Sequence, residues 1–141
     1  MKNAIRILTT ILLTIGFLSC SEDASKQKSN KTNELQAIYK NVDAVTFKHI
    51  LEQEKPIIID VRTLEEHNEK HIKNCIYLGR DFLEFKIEKH ISNPDQVIIT
   101  ACGGGLRSLF AAESLTKLGY NKVYNMAGGF RAWEIENLPT E

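Results

Sequence analysis

The sequence predicts an α/β fold: a three-layer domain with a parallel central sheet and helices on both faces. Three observations predict it. Short β-branched runs, Ile57-Ile58-Ile59, Val97-Ile98-Ile99 and Val123-Tyr124, alternate along the chain with stretches of helical periodicity. Within the runs apolar residues follow one another directly, as in strands buried on both faces, instead of alternating with polar ones. Turn and stop signals, Asn93-Pro94-Asp95 and Gly119 among them, separate the elements.

The amino terminus reads as targeting sequence. Lys2 and Arg6 give it a positive start, Ile7 to Leu18 is an apolar run broken only by threonines and a glycine, and Ser19-Cys20 ends it. That run is shorter than the roughly 20 apolar residues of a membrane span. Residues 1–19 are therefore expected to be a signal peptide. Phe17-Leu18-Ser19-Cys20 resembles the lipobox of bacterial lipoproteins, which implies lipidation of Cys20 as the new first residue; simple secretion is the alternative. The expected location is the bacterial cell envelope, anchored through lipid on the periplasmic side or at the outer membrane. Residues 20–34 then form the lipidated cysteine and a tether, disordered because Ser21 to Thr32 offers almost nothing to bury.

Residues 35–141 are enough for one core. A helix is expected from Val42 to Gln53, capped by Asp43, with Val45, Phe47, Ile50 and Leu51 on its apolar face. Pro56 to Val61 is a buried strand, and Leu64 to Glu69 a short helix. Asp81 to His90 reads as a helix facing the core through Phe82, Phe85 and Ile87 or Ile91. After the strand Val97–Thr100, Leu106, Leu109, Phe110, Leu115 and Leu118 recur at helical spacing. Val123 to Met126 is the last strand, and Trp133 belongs to a final helix as a core-filling residue.

Charge excludes one class of partner. The chain has 18 basic and 18 acidic residues, and loss of Lys2 and Arg6 with the leader leaves a formal charge of −2. Nucleic acid needs clustered positive charge on one face, so no nucleic-acid partner is expected.

The chemistry concentrates in Cys102-Gly103-Gly104-Gly105-Leu106-Arg107-Ser108, between a strand and a helix. A thiol there lies at the carboxyl end of a strand, where open α/β sheets bind ligands. Glycines let the chain curl so that its N–H groups face inward as an anion-holding nest; the unpaired N–H groups of the helix start and the Arg107 charge add to the field. Such a field lowers a thiol pKa and yields a thiolate at neutral pH. The competing readings are a small buried hydrophobe beside a flexible turn, and a nucleotide phosphate loop, which lacks its lysine here.

These residues resemble the active-site loop of the rhodanese-like sulfurtransferases, through Cys102, Gly105, Arg107 and Ser108. Asp60-Val61-Arg62 with Glu66 and His71-Ile72 is similar to the family's amino-terminal signature, and Gly128-Gly129-Phe130 with Ala132-Trp133 to its carboxyl-terminal one. The resemblance implies a sulfurtransferase of the thiosulfate type. Cys102 would take the outer sulfur of a small sulfur-containing anion as a persulfide and pass it to cyanide, a small thiol or a protein thiol, with no cofactor. It also implies that Gly103 to Ser108 cradle the substrate, with Arg107 attracting the donor or buttressing the loop and Leu106 packed into the core. Four residues separate Cys102 from Arg107, one fewer than in the phosphatases and arsenate reductases of the same fold, so the ring suits a single sulfur. A non-catalytic binding or sensing module is the alternative. A monomer is expected.

Asp60, on the same rim as Cys102, is expected to orient the loop or Arg62, or else to cap the next helix. His67 and His71 are four residues apart, but no third ligand stands at fixed spacing and the His-Glu-x-x-His order is absent, so no metal is expected. Cys75 reads as a buried hydrophobe, with a resolving disulfide to Cys102 as the alternative.

Overall fold

The computed structural model describes residues 26–31 and 41–141. The chain separates into two units, Met1–Glu34 and Leu35–Glu141. The expected leader and the Cys20 position lie outside the described residues. Where the tether was expected to lack regular structure, residues 26–31 are helical and wholly exposed. Among the described residues no helix is long and apolar enough to cross a membrane.

In the second unit the elements run β1 (Asn41–Val42), α1 (Ala44–Glu54), β2 (Ile57–Asp60), α2 (Leu64–Glu69), β3 (Ile76–Tyr77), a 3-10 turn (Arg80–Phe82), α3 (Leu83–His90), β4 (Val97–Ala101), α4 (Leu106–Lys117), β5 (Lys122–Met126) and α5 (Gly129–Ile135). All five strands are parallel, in the order β1-β5-β4-β2-β3. Register places Asp60 beside Ala101 and Thr100 beside Asn125. The carboxyl ends of β2, β4 and β5 therefore share one rim.

Each face of the sheet has its own core. Ile59, Ile98 and Val123 pack with Leu83, Ile87, Ala111 and Leu115, the inward residues of α3 and α4. On the other face Ile58, Ile99 and Met126 pack with Phe47, Phe130 and Trp133, from α1 and α5. Burial of side chains of this size stabilises by about 1.5–3 kcal/mol each, so the central strands anchor everything the rim carries. Trp133 fills its core as expected and donates its indole N–H to Pro139 O at 3.0 Å.

Several faces differ from the sequence expectation. Val42 is a strand residue; α1 begins only at Ala44, where Asp43 accepts the Thr46 N–H at 2.7 Å as the expected cap. Val45 lies on the solvent side of α1, because Phe47 two residues on takes the inward direction. In α3 the buried set is Leu83, Ile87 and, just beyond it, Ile91; Phe85 falls half a turn away and is 83% exposed, with Phe82 exposed beside it. Leu118 is likewise exposed at the end of α4. In α3 the four-residue repeat Leu83, Ile87 and Ile91 takes the core and leaves the bulkier phenylalanines outside.

Candidate active site

The bend after β4 is tied down at both ends. Thr100, fully buried, donates its hydroxyl toward Ser108 O at 2.9 Å and lies 3.1 Å from Tyr124 O, which fixes the first turn of α4 against the strand it leaves. The Cys102 Sγ accepts the Gly105 N–H at 3.1 Å and the Ser108 hydroxyl at 3.3 Å. Gly105 has φ +92°, and a Cβ there would stand 3.1 Å from both Gly128 N and Met126 O, so only glycine fits.

What turns the loop amides inward is α5. Its first N–H groups have no acceptor within the helix and instead hold the outer side of the loop: Phe130 N–H donates to Cys102 O at 2.7 Å and Arg131 N–H to Gly103 O at 3.2 Å. With these carbonyls drawn outward, the N–H groups of the same stretch face the sulfur. The approach is close enough that a Cβ on Gly129 would lie 2.8 Å from Gly103 C and Gly104 N.

The electrostatic result is a competition. Burial pushes the Cys102 thiol up, but the Ser108 hydroxyl and the N–H groups of Ser108, Gly104 and Gly105 favour the thiolate and hold it below its ordinary value. The sulfur is enclosed as well as activated, its residue only 1% exposed. Leu106, expected in the core, is instead 47% exposed, since the first residue of α4 stands on the rim with its side chain above the packed layer.

Arg107 is engaged by a carboxylate. Its two terminal nitrogens reach the Glu66 oxygens at 2.7 Å each, a fork-to-fork pair. Arg107 holds the Glu66 carboxyl down at about 2, despite the opposing effect of burial and with help from the Thr63 N–H. Glu66 also completes the cap of α2, accepting the Thr63 N–H at 3.0 Å while Thr63 Oγ1 takes the Glu66 N–H at 3.2 Å. The pair lies beside Gly103, whose added Cβ would be 3.4 Å from Arg107 Nη2 and 3.5 Å from Glu66 Oε1. This is the geometry of a buttress.

Asp60 and Arg62 form a second, buried pair behind the loop. Arg62 Nη2 donates to Asp60 Oδ2 at 2.7 Å and to Lys70 O at 2.8 Å, and Nε donates to Asp60 at 3.0 Å. The guanidinium lies 4.3 Å from the centre of the Phe130 ring. Phe130 in turn holds Cys102 O, so Asp60 acts on the loop through Arg62. The cap of α2 is Thr63; Asp60 takes no part in it. Burial raises the Asp60 carboxyl, yet hydrogen bonds from Arg62 and His67 leave it below its usual range.

Asp60, His67 and Cys75 bring one ligand atom each within 4.8 Å of one another. His67 Nδ1 sits 3.0 Å from Asp60 Oδ2, with the His71 ring stacked on it at 3.9 Å. Both Asp60 oxygens already face the Arg62 guanidinium, and a metal ion would meet that charge. Cys75 packs against the opposite core from Cys102, which separates the two thiols by the sheet. Burial, then the Asp60 charge, pushes Cys75 up to about 12.

Above the loop opens a cleft of about 510 Å³, lined among others by Arg62, Glu66, Gly103, Gly104, Arg107 and Arg131. Its floor is the Gly103-Gly104 backbone. Glu66 and Arg131 are parts of this site that motif reading does not assign a role; the Gly128-Gly129 turn was the available signal for α5 lying so near, because adjacent glycines mark a close backbone approach.

Comparison with known proteins agrees with this architecture. A thiosulfate sulfurtransferase GlpE from Vibrio cholerae is 29% identical over 102 residues, covering 72% of this chain and 93% of the relative. The GlpE of Pseudoalteromonas translucida is 33% identical over 97 residues, 68% of this chain and 90% of that one. A rhodanese-like domain from an Anabaena protein, solved in solution, superposes with a TM-score of 0.67 at 25% identity, covering 72% of this chain and 77% of its own. Residues 43–136 match the family described as the Rhodanese-like domain, and the chain belongs to that family.

Proposed function

We propose that this protein is a sulfurtransferase that moves a sulfane sulfur from thiosulfate or a similar donor to a thiophilic acceptor through a persulfide on Cys102. One observation carries the reading: the Cys102 Sγ receives the Gly105 N–H and the Ser108 hydroxyl, which favour the thiolate in a sheltered ring. The thiolate attacks the outer sulfur of thiosulfate, the S–S bond of the donor breaks, and sulfite leaves with the electron pair. The terminal persulfide sulfur then carries the negative charge that the loop amides are arranged to stabilise. Cyanide, a small thiol or a protein thiol attacks that sulfur and restores the thiolate. The names of the Vibrio and Pseudoalteromonas relatives support thiosulfate as donor.

We also propose, from the leader sequence, that the mature chain begins at a lipidated Cys20 and stands on the cell envelope. Mass spectrometry tests both readings on one preparation. After incubation with thiosulfate the intact mass rises by one sulfur in the wild type and not in Cys102→Ser; an equal gain in the variant refutes the persulfide. Protein recovered from membranes carries an acylated Cys20 as its first residue, and a retained Met1 refutes the anchor.

A further inference from the structure

The cleft over the loop contains four cations, and three of them are committed. Arg62 is bound to Asp60, Arg107 to Glu66, and Lys70 Nζ to Glu134 at 2.9 Å. The fourth, Arg131, is exposed, and among the described residues its guanidinium makes no ion pair. Glu69, the other unpaired charge of the lining, forms no bridge with it. Arg107 cannot take an anion at full strength without giving up a bidentate carboxylate, whereas Arg131 has no bond to break. Its backbone is also held in place relative to the nucleophile, because its N–H donates to Gly103 O, one residue from Cys102.

We propose that Arg131 is the donor-binding residue of this site and that it selects donors whose sulfane sulfur is attached to an oxyanion head, namely thiosulfate and organic thiosulfonates. This inference rests on the sulfurtransferase reading above. A planar guanidinium fork matches two oxygens of a sulfonate or sulfinate head, and holding that head in the cleft aims the outer sulfur down at the Gly103-Gly104 floor and the thiolate below. On transfer the S–S bond of the donor breaks, the new bond forms to Sγ, and the departing sulfite or sulfinate keeps the electron pair on the group that Arg131 holds. The loop motif leaves Arg107 as either the donor's anchor or a buttress; its pair with Glu66 makes it the buttress, and the donor falls to a residue on the neighbouring helix.

Steady-state rates of wild type, Arg131→Gln and Arg131→Lys test it, with thiosulfate and with zwitterionic cysteamine persulfide as donors. In Arg131→Gln the KM for thiosulfate rises about tenfold, as expected for one charge-assisted contact, while the rate at saturation is retained. Arg131→Lys recovers part of the loss, and the KM for cysteamine persulfide stays at the wild-type value in both. An unchanged KM for thiosulfate in Arg131→Gln, with wild-type Cys102 still acquiring sulfur, overturns this inference alone. So does an equal rise for the two donors. Failure of wild-type Cys102 to take sulfur from either donor overturns the functional reading and this inference with it.

Discussion

Cys102 and Cys75 are two sheltered thiols in one small domain, one packed on each face of the same sheet, and their surroundings drive them in opposite directions. Around Cys75 burial, joined by the nearby Asp60 carboxylate, outweighs the opposing Arg62 charge, so the thiol is pushed up to about 12. Around Cys102 burial acts in the same sense and is outweighed by a hydroxyl and three backbone N–H groups aimed at the sulfur. Shelter therefore does not decide reactivity; the direction of the surrounding dipoles does. At Cys102 that direction is set from outside the loop, by α5 drawing two loop carbonyls away.

The contrast is broken most completely at Gly129. An added Cβ there would stand 2.8 Å from Gly103 C and Gly104 N, at a residue with φ +59°, so backbone must move and no side chain can yield in its place. Gly129→Ala is expected to slow alkylation of Cys102 at neutral pH by about a hundredfold, the scale of losing an aligned donor at a developing charge. Cys75, on the other face, keeps its wild-type alkylation rate. Iodoacetamide kinetics resolved by peptide mass mapping measure both thiols together, and an unaltered Cys102 rate shows that the amides hold their direction without the α5 contact.

A second change sharpens the contrast from the Cys75 side. Asp60→Asn removes one cause of the raised Cys75 pKa and leaves the buried Arg62 without its counter-charge. Stability falls by about 3 kcal/mol, the usual cost of breaking a buried pair on one side, and urea denaturation reads it. The sign of its pH dependence follows from the lowered Asp60 carboxyl: in the wild type the pair's contribution is complete above the ordinary Asp range and is lost as pH falls through the lowered value. Asp60→Asn has no such acid limb. In a Cys102→Ser background Cys75 should also alkylate at lower pH than in Cys102→Ser alone, and an identical profile removes Asp60 from the account of Cys75.

How much of this was legible in the chain follows a physical division. The loop of Cys102, the strands ending at Asp60 and Met126, and the bounds of α2 rest on local signals: glycines, β-branched runs and a capping residue at the right offset. Two-residue strands such as Asn41–Val42 and Ile76–Tyr77 exist only because a neighbouring strand pairs with them, and no local pattern encodes that. Hydrophobicity alone points Phe82, Phe85, Val45 and Leu106 inward, while the rim position of Leu106, the inward direction of Phe47 in α1 and the aliphatic repeat of α3 place them outside. The pairing of Arg107 with Glu66 joins residues 41 apart in sequence, so the motif gave both names and not the bond between them.

The finest test of the comparison is Ser108→Ala. Ser108 is buried, and its hydroxyl stands first among the hydrogen-bonding groups that lower the Cys102 thiol. Because the thiolate is the attacking species, activity is present above the thiol's pKa and lost as pH falls through it. The wild-type acid limb therefore lies below that of an ordinary cysteine, and removing the hydroxyl moves it upward toward that value. At neutral pH persulfide formation should slow about two- to tenfold, the worth of one hydrogen bond, and the two rates should converge as pH rises and both thiols ionise. Stopped-flow rates of sulfite release across pH give both limbs. Coincident limbs would mean that the backbone amides alone set Cys102 apart from Cys75, and a gap persisting at high pH would mean that the hydroxyl acts on the sulfur's position instead of its charge.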